Sequence, residues 1–184
     1  MTGAGGVEVQ DRVELAYVPE LADSVGAIRA RGKATPAGRL QNGVGLIAAV
    51  GALYSLVVSF DGPGGRPAYA SVFVCLLALV FILGLMVLTP TLQGRQVHRL
   101  YASQGEFRTV VDDATGLTLM ARDIDMTYRW PLMSRYTETD DLFVMMSPDK
   151  NGVGLVVLPK RGLATGDADR LRAILDRRSQ RAGR

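Results

Sequence analysis

Residues 71–88 read SVFVCLLALVFILGLMVL. The stretch is apolar throughout and offers no polar face. At 1.5 Å per helical residue its eighteen residues span about 27 Å, close to the ~30 Å hydrocarbon thickness of a bilayer. It sits in an uncharged run of 28 residues, 67–94, and a second uncharged run of 21 residues covers 40–60. A core helix of a soluble protein with no polar face needs apolar protein on every side, and the rest of this chain is too small to supply it. The expectation is a transmembrane hairpin, with helix one at 40–60 and helix two at 68–92. Residues 61–67, DGPGGRP, join them as a turn, because Gly and Pro do not continue a helix comfortably.

Working outward, charge is crowded into the flanks. Between Leu40 and Leu92 only Asp61 and Arg66 are charged. Arg29, Arg31, Lys33 and Arg39 precede the first run, and Arg95 and Arg99 follow the second. Basic residues concentrate on the cytoplasmic side of membrane helices, so the turn is expected outside and both termini in the cytoplasm of a cell membrane. Tyr54, Phe60 and Tyr69 are placed for headgroup level.

The first helix is rich in small residues. Gly45, Ala48, Ala52 and Ser55 recur at three- and four-residue spacing and form a stripe that permits close helix approach in lipid. Its partner is the second helix or a second copy of the chain; the bland alternative is a set of small residues with no specific partner. The single cysteine, Cys75, reads as a small packing residue, and the single histidine, His98, as a polar flank beside Arg95 and Arg99.

The flanks read as a small α+β body. Residues 1–12 are expected as a flexible, polar start, and 13–39 as a strand, 13–18, followed by a juxtamembrane amphipathic helix. That helix opens at Pro19 with Leu21, Val25 and Ile28 as its apolar stripe. From 100 to 180 the pattern alternates, as antiparallel strands with one buried face do. Strands are expected at 107–111, 117–121, 124–130, 132–137, 142–147 and 153–158. Asn151-Gly152 is a hairpin signal. A terminal helix carries Ala168, Leu171, Ile174 and Leu175 as an apolar stripe, with arginines on its other faces. Six to seven antiparallel strands closed by a C-terminal helix resemble a pleckstrin-homology-like (PH-like) barrel.

The order of elements carries a further resemblance. An N-terminal strand and helix, a membrane hairpin, Tyr101, then Tyr128-Arg-Trp130, Phe143 and a last strand ending Leu158-Pro159-Lys160-Arg161 resemble the YcxB-like family of bacterial membrane proteins. The likeness runs from about Val13 to Arg178. It implies a bacterial inner-membrane protein with a cytoplasmic YcxB-like domain over 100–180, and it carries over no catalytic residue.

No nucleophile–base pair, P-loop or zinc-ligand spacing is present in the sequence. Asp112-Asp113 and Asp140-Asp141 fall at turns, where turn chemistry accounts for them. Trp130 continues an apolar face and reads as core. Lys160 and Arg161 read as a solvated strand end or as a contact for anionic lipid or an acidic partner, joined by the juxtamembrane Arg29, Arg31, Lys33, Arg39, Arg95 and Arg99. The acidic residues Asp167, Asp169 and Asp176 among the terminal arginines weigh against nucleic acid. The expectation is a membrane-anchored, non-catalytic interaction or regulatory protein without a cofactor. Its partners are the bilayer and a protein partner or a second copy. The alternative is a subunit of an oligomeric transporter or channel.

Overall fold

A computed structural model describes residues 11–60 and 69–182. The expected turn at 61–67 and the expected flexible start, as far as residue 10, lie outside the described residues. The elements in chain order are β1 (Arg12–Tyr17), α1 (Leu21–Ala34), α2 (Pro36–Phe60), α3 (Tyr69–Ala102), β2 (Phe107–Asp112), β3 (Gly116–Ala121), β4 (Ile124–Tyr128), β5 (Arg135–Glu138), β6 (Leu142–Met146), β7 (Leu155–Pro159), α4 (Asp167–Arg178) and β8 (Gln180–Arg181).

The strands form two four-stranded sheets. One is an antiparallel meander in the order β1-β2-β3-β4; the other has the order β7-β6-β5-β8, antiparallel except for the short β5–β8 pair. β1 and β2 are far apart in sequence yet pair directly, from Arg12 opposite Asp112 to Tyr17 opposite Phe107. The three helices between them are therefore one excursion that leaves and re-enters the sheet at a single end. The rings of Tyr17 and Phe107 stack there at 5.9 Å, and Tyr101 packs edge-on against Phe107 at 5.6 Å.

The main core lies between the sheets and under α4. Val13, Leu15, Val111, Leu117, Tyr136, Phe143, Met145 and Leu158 meet Leu171, Ile174 and Leu175 there, all essentially without solvent contact. Trp130 belongs to this core, and its indole N–H donates to the Asp113 carbonyl at 2.9 Å, so the ring's one polar atom is satisfied. A second core lies on the outer face of the other sheet, where Ala27, Ala30 and Ala34 of α1 meet Leu142, Val144 and Met146 of β6. β6 is thus covered on both faces and buried at all five positions. That explains its unbroken apolar reading, LFVMM, whereas β1, exposed on one face, alternates.

Four local expectations change. The stretch 132–137 is not one strand: Trp130–Met133 forms a 3-10 turn led by Pro131, and β5 begins only at Arg135. The ring of Pro131 and its missing N–H remove a ladder donor at that point. Asn151-Gly152 does not make a two-residue hairpin. β7 starts at Leu155, and Asp149 organises the longer loop by accepting from the backbone N–H of Asn151 and of Val153 and from the Ser147 hydroxyl. In α1 the deepest face is Asp23, Ser24, Ala27, Ala30 and Ala34; Leu21, Val25 and Ile28 are half-buried. Two partners, not one, share this helix. The second membrane-type helix, expected to end at 92, runs on to Ala102.

That continuation fastens the helices to the sheets. At 34 residues α3 is about 51 Å long, well beyond the ~30 Å of a hydrocarbon core. Its last turns press on α1 at Gly94, where an added Cβ would stand 2.5 Å from Val25 Cγ2 and 3.1 Å from the Val25 backbone. Backbone cannot yield as a side-chain end can. Replacing Gly94 with Val should therefore cost about 1–3 kcal/mol through overpacking. Thermal melting of the full chain in detergent checks this: Gly94→Val lowers the midpoint, whereas Gly84→Val, at a position with nothing within 4 Å of the added Cβ, does not.

Candidate functional site

Among the described residues, α2 and α3 are the two helices long and apolar enough to cross a membrane, over Pro36–Val58 and Val72–Ala102, and none of either apolar window is buried by the protein. Ile47 is 73% exposed, Val80 67% and Phe81 65%. Monomeric soluble proteins rarely display contiguous apolar surface on this scale. What α2 and α3 do cover is narrow. Gly45, Ala49, Ala52 and Leu56 on α2 and Val72, Cys75, Leu79 and Ile82 on α3 are half-buried at alternating three- and four-residue steps, and the Met86 methyl lies over Gly45. Of the small-residue stripe read from the sequence, Gly45 and Ala52 fall on this shared seam. Ala48 and Ser55 lie on the exposed side.

The basic candidates separate into two groups. Lys160 and Arg161 are engaged within the chain. Lys160 Nζ donates to Glu138 Oε1 at 2.8 Å and to the Thr139 carbonyl at 2.7 Å. Arg161 grips Asp23 with both terminal nitrogens, at 2.5 and 2.6 Å, and donates to the Val18 carbonyl. Asp23 is the third residue of α1 and also accepts from the Glu20 N–H in a capping box, so Arg161 ties the end of β7 to the start of α1. Glu138 collects Lys160, a bidentate Arg172 and Arg181, which clamps β5, the end of β7, α4 and β8 together. The arginines of α4 are likewise paired: Arg170 with Asp167 and Asp11, Arg177 with Asp11, and Arg178 with Asp113.

The second group is different. Among the described residues, Arg29, Arg31, Lys33, Arg39, Arg95 and Arg99 have no carboxylate partner; Arg31 and Arg39 each donate only to a backbone carbonyl, of Asn151 and Lys33. All six stand where α1, the start of α2 and the end of α3 converge. The turn between α1 and α2 is tight: the Thr35 hydroxyl accepts from the Gly38 N–H at 3.2 Å, and a Cβ on Gly38 would fall 2.2 Å from the Gly32 carbonyl oxygen.

Two concavities open at this junction. A groove of about 730 Å³ between α1, α2 and α3 is lined by Arg29, Arg31 and Lys33, by Gln41, Asn42 and Gln93, and by Ala48, Ile82 and Leu85. No carboxylate lines it. Pro90 sits in its wall and lacks an N–H, so the Met86 carbonyl has no helical donor there. A cavity of about 470 Å³ lies beneath the sheet end, walled by Tyr17, Tyr101, Phe107 and Val157, with Ile28, Arg31 and Gln93 shared between the two spaces. The Tyr17 hydroxyl donates to the Val157 carbonyl at 2.8 Å, and burial pushes its pKa well above the usual phenol value. His98 Nδ1, at the end of α3, is buried without a hydrogen-bond partner among the described residues. No three His, Cys, Asp or Glu side chains among the described residues gather as a metal site.

Residues 113–175 match the family model of the YcxB-like proteins. This segment, about a third of the chain, is similar to the YcxB-like proteins. The likeness read from Tyr128-Arg-Trp130, Phe143 and Pro159-Lys160-Arg161 therefore holds over it. No curated protein matches the chain, and no solved structure does. The YcxB-like segment begins at Asp113, whose carbonyl receives the Trp130 indole, and runs through β3–β7 to Leu175 of α4. Its Lys160-Arg161 end is joined to Glu138 and Asp23. Arg29, Arg31, Lys33, Arg39, Arg95 and Arg99 lie outside the matched segment.

Sequence reading missed Glu138, because its three partners lie 22 to 43 positions away and no local pattern marks them. Hydrogen bonds from Arg172 and then Lys160 hold its pKa down to about 2, against the model-peptide value of 4.5. The stabilisation is complete above about pH 4.5 and is lost as pH falls through about 2. Glu138→Gln should cost about 1–3 kcal/mol at pH 7, because Lys160 and Arg172 are left facing a neutral group. Melting of the full chain in detergent between pH 2 and 7 should show the gap to the wild type closing toward the acid end.

Proposed function

We propose that the chain is a membrane-anchored, non-catalytic interaction or regulatory protein whose β domain is held at the cytoplasmic face of the cell membrane, where its base contacts anionic lipid. α2 and α3 cross the bilayer as a hairpin with both ends inside. The single observation that carries this reading is where six cations stand. Arg29, Arg31, Lys33, Arg39, Arg95 and Arg99 gather at the mouth of the apolar hairpin, and none of them meets a carboxylate among the described residues. Unpaired cations at one end of an unburied apolar helix pair suit an anionic leaflet, each contributing on the order of 1 kcal/mol there.

The architecture supports a PH-like body: a four-strand meander faces a three-strand meander, β5–β6–β7, with α4 across the open end. The partly buried charges of this body, Glu138 and Asp23, hold its elements together. Interaction at the membrane, in place of chemistry, is the role that fits.

Topology is tested with single cysteines in a Cys75→Ala background. In intact cells a membrane-impermeant maleimide should label a cysteine at position 64 and leave one at position 140 unlabelled until the membrane is opened. Labelling of position 140 in intact cells, or recovery of the chain in the soluble fraction, overturns the reading.

A further inference from the structure

The groove between α1, α2 and α3 has the polarity order of a phospholipid molecule. Arg29, Arg31 and Lys33 stand at one end, and Gln41 and Asn42 follow. Ala48, Ile82 and Leu85 then continue along the helices as an apolar wall. From Gln41 to Ala48 the helical rise is about 10 Å, so the change from charged to apolar lining takes place over about the depth of a headgroup and the first acyl carbons. The volume, about 730 Å³, lies within the usual range of small-molecule pockets.

Resting on the membrane reading above, we infer that this groove is a binding site for one anionic glycerophospholipid. The phosphate sits against Arg29, Arg31 and Lys33, and one acyl chain lies along Ala48 and Ile82. Charge complementarity selects this occupant. The lining has three cations and no carboxylate, and none of the three has a carboxylate partner elsewhere among the described residues. Basic pockets between membrane helices on the cytoplasmic side are the usual seat of such headgroups. Arg31 is preoriented, because its Nε donates to the Asn151 carbonyl at 2.9 Å and leaves its terminal nitrogens for a phosphate. That bond also joins the groove to the loop before β7, so an occupied site would be in direct contact with the YcxB-like segment.

The test is native mass spectrometry of the full chain in mild detergent, titrated with dioleoyl phosphatidylglycerol or dioleoyl phosphatidylcholine. One phosphatidylglycerol per chain should be retained in preference to phosphatidylcholine. Arg29→Gln with Lys33→Gln should weaken retention about 30-fold, from the loss of two juxtamembrane cations. Ala48→Trp keeps every charge but obstructs the acyl path, and it should also lose the bound lipid. Arg95→Gln with Arg99→Gln removes two cations outside the groove lining and should change retention little. Equal retention of the two lipids, or unchanged retention in both groove variants, overturns the site. A similar loss in the Arg95/Arg99 variant also overturns it, in favour of diffuse surface attraction, and leaves the membrane-anchor reading standing. That reading fails separately, on the cysteine labelling and fractionation.

Discussion

The structure depends on α1 being held from two sides. Ala27, Ala30 and Ala34 set its backbone close against Leu142, Val144 and Met146 of β6, and on the opposite side Gly94 of α3 admits Val25. Small residues are needed at both contacts because a helix squeezed between a sheet and another helix has little room for side chains. The helix is also clamped at its start by Arg161 on Asp23. Without these contacts the apolar pair α2–α3 would hang from the sheets on the β1–α1 and α3–β2 connections alone. With them, the body and the apolar pair meet at one packed junction.

That junction gives the Pro159-Lys160-Arg161 end of the YcxB-like segment a physical role. The segment's last strand finishes where two cations can reach in different directions, one to Glu138 inside the domain and one to Asp23 at the foot of the helices. A partly buried carboxylate that receives several cations is costly to break and is a poor candidate for recruiting an external ligand. The cations of α1, the first turn of α2 and the last turns of α3 meet no carboxylate among the described residues. The end of β7 is thus neutralised within the chain, while the base of the helices keeps an open basic collar.

The insertion of the helices between β1 and β2 follows from the same geometry. Tyr17 and Phe107 are opposed in the ladder, so an excursion of any length can leave and return there without disturbing the sheet. The stacked rings stand at that end and line the cavity beneath them, which shares Ile28, Arg31 and Gln93 with the basic groove.

Much of this was legible in the linear chain. The two uncharged runs, the alternation from 107 onward, the terminal helix with Leu171, Ile174 and Leu175, and the resemblance over the Trp130 and Pro-Lys-Arg region are local patterns, and local patterns report secondary structure and burial periodicity. The 3-10 turn at Trp130–Met133 and the long loop around Asp149 were not, since a single proline or Asn-Gly pair is compatible with several turn geometries. The division of eight candidate cations into paired and unpaired groups was invisible too. Arg161 meets Asp23 across 138 positions, and Arg172 meets Glu138 across 34. The sequence alone determined which segments are apolar and which alternate, because those properties belong to neighbouring residues. Only the tertiary structure decided which face of α1 is buried, which charges are neutralised and where the groove opens, because each of those depends on what distant segments bring to the same place.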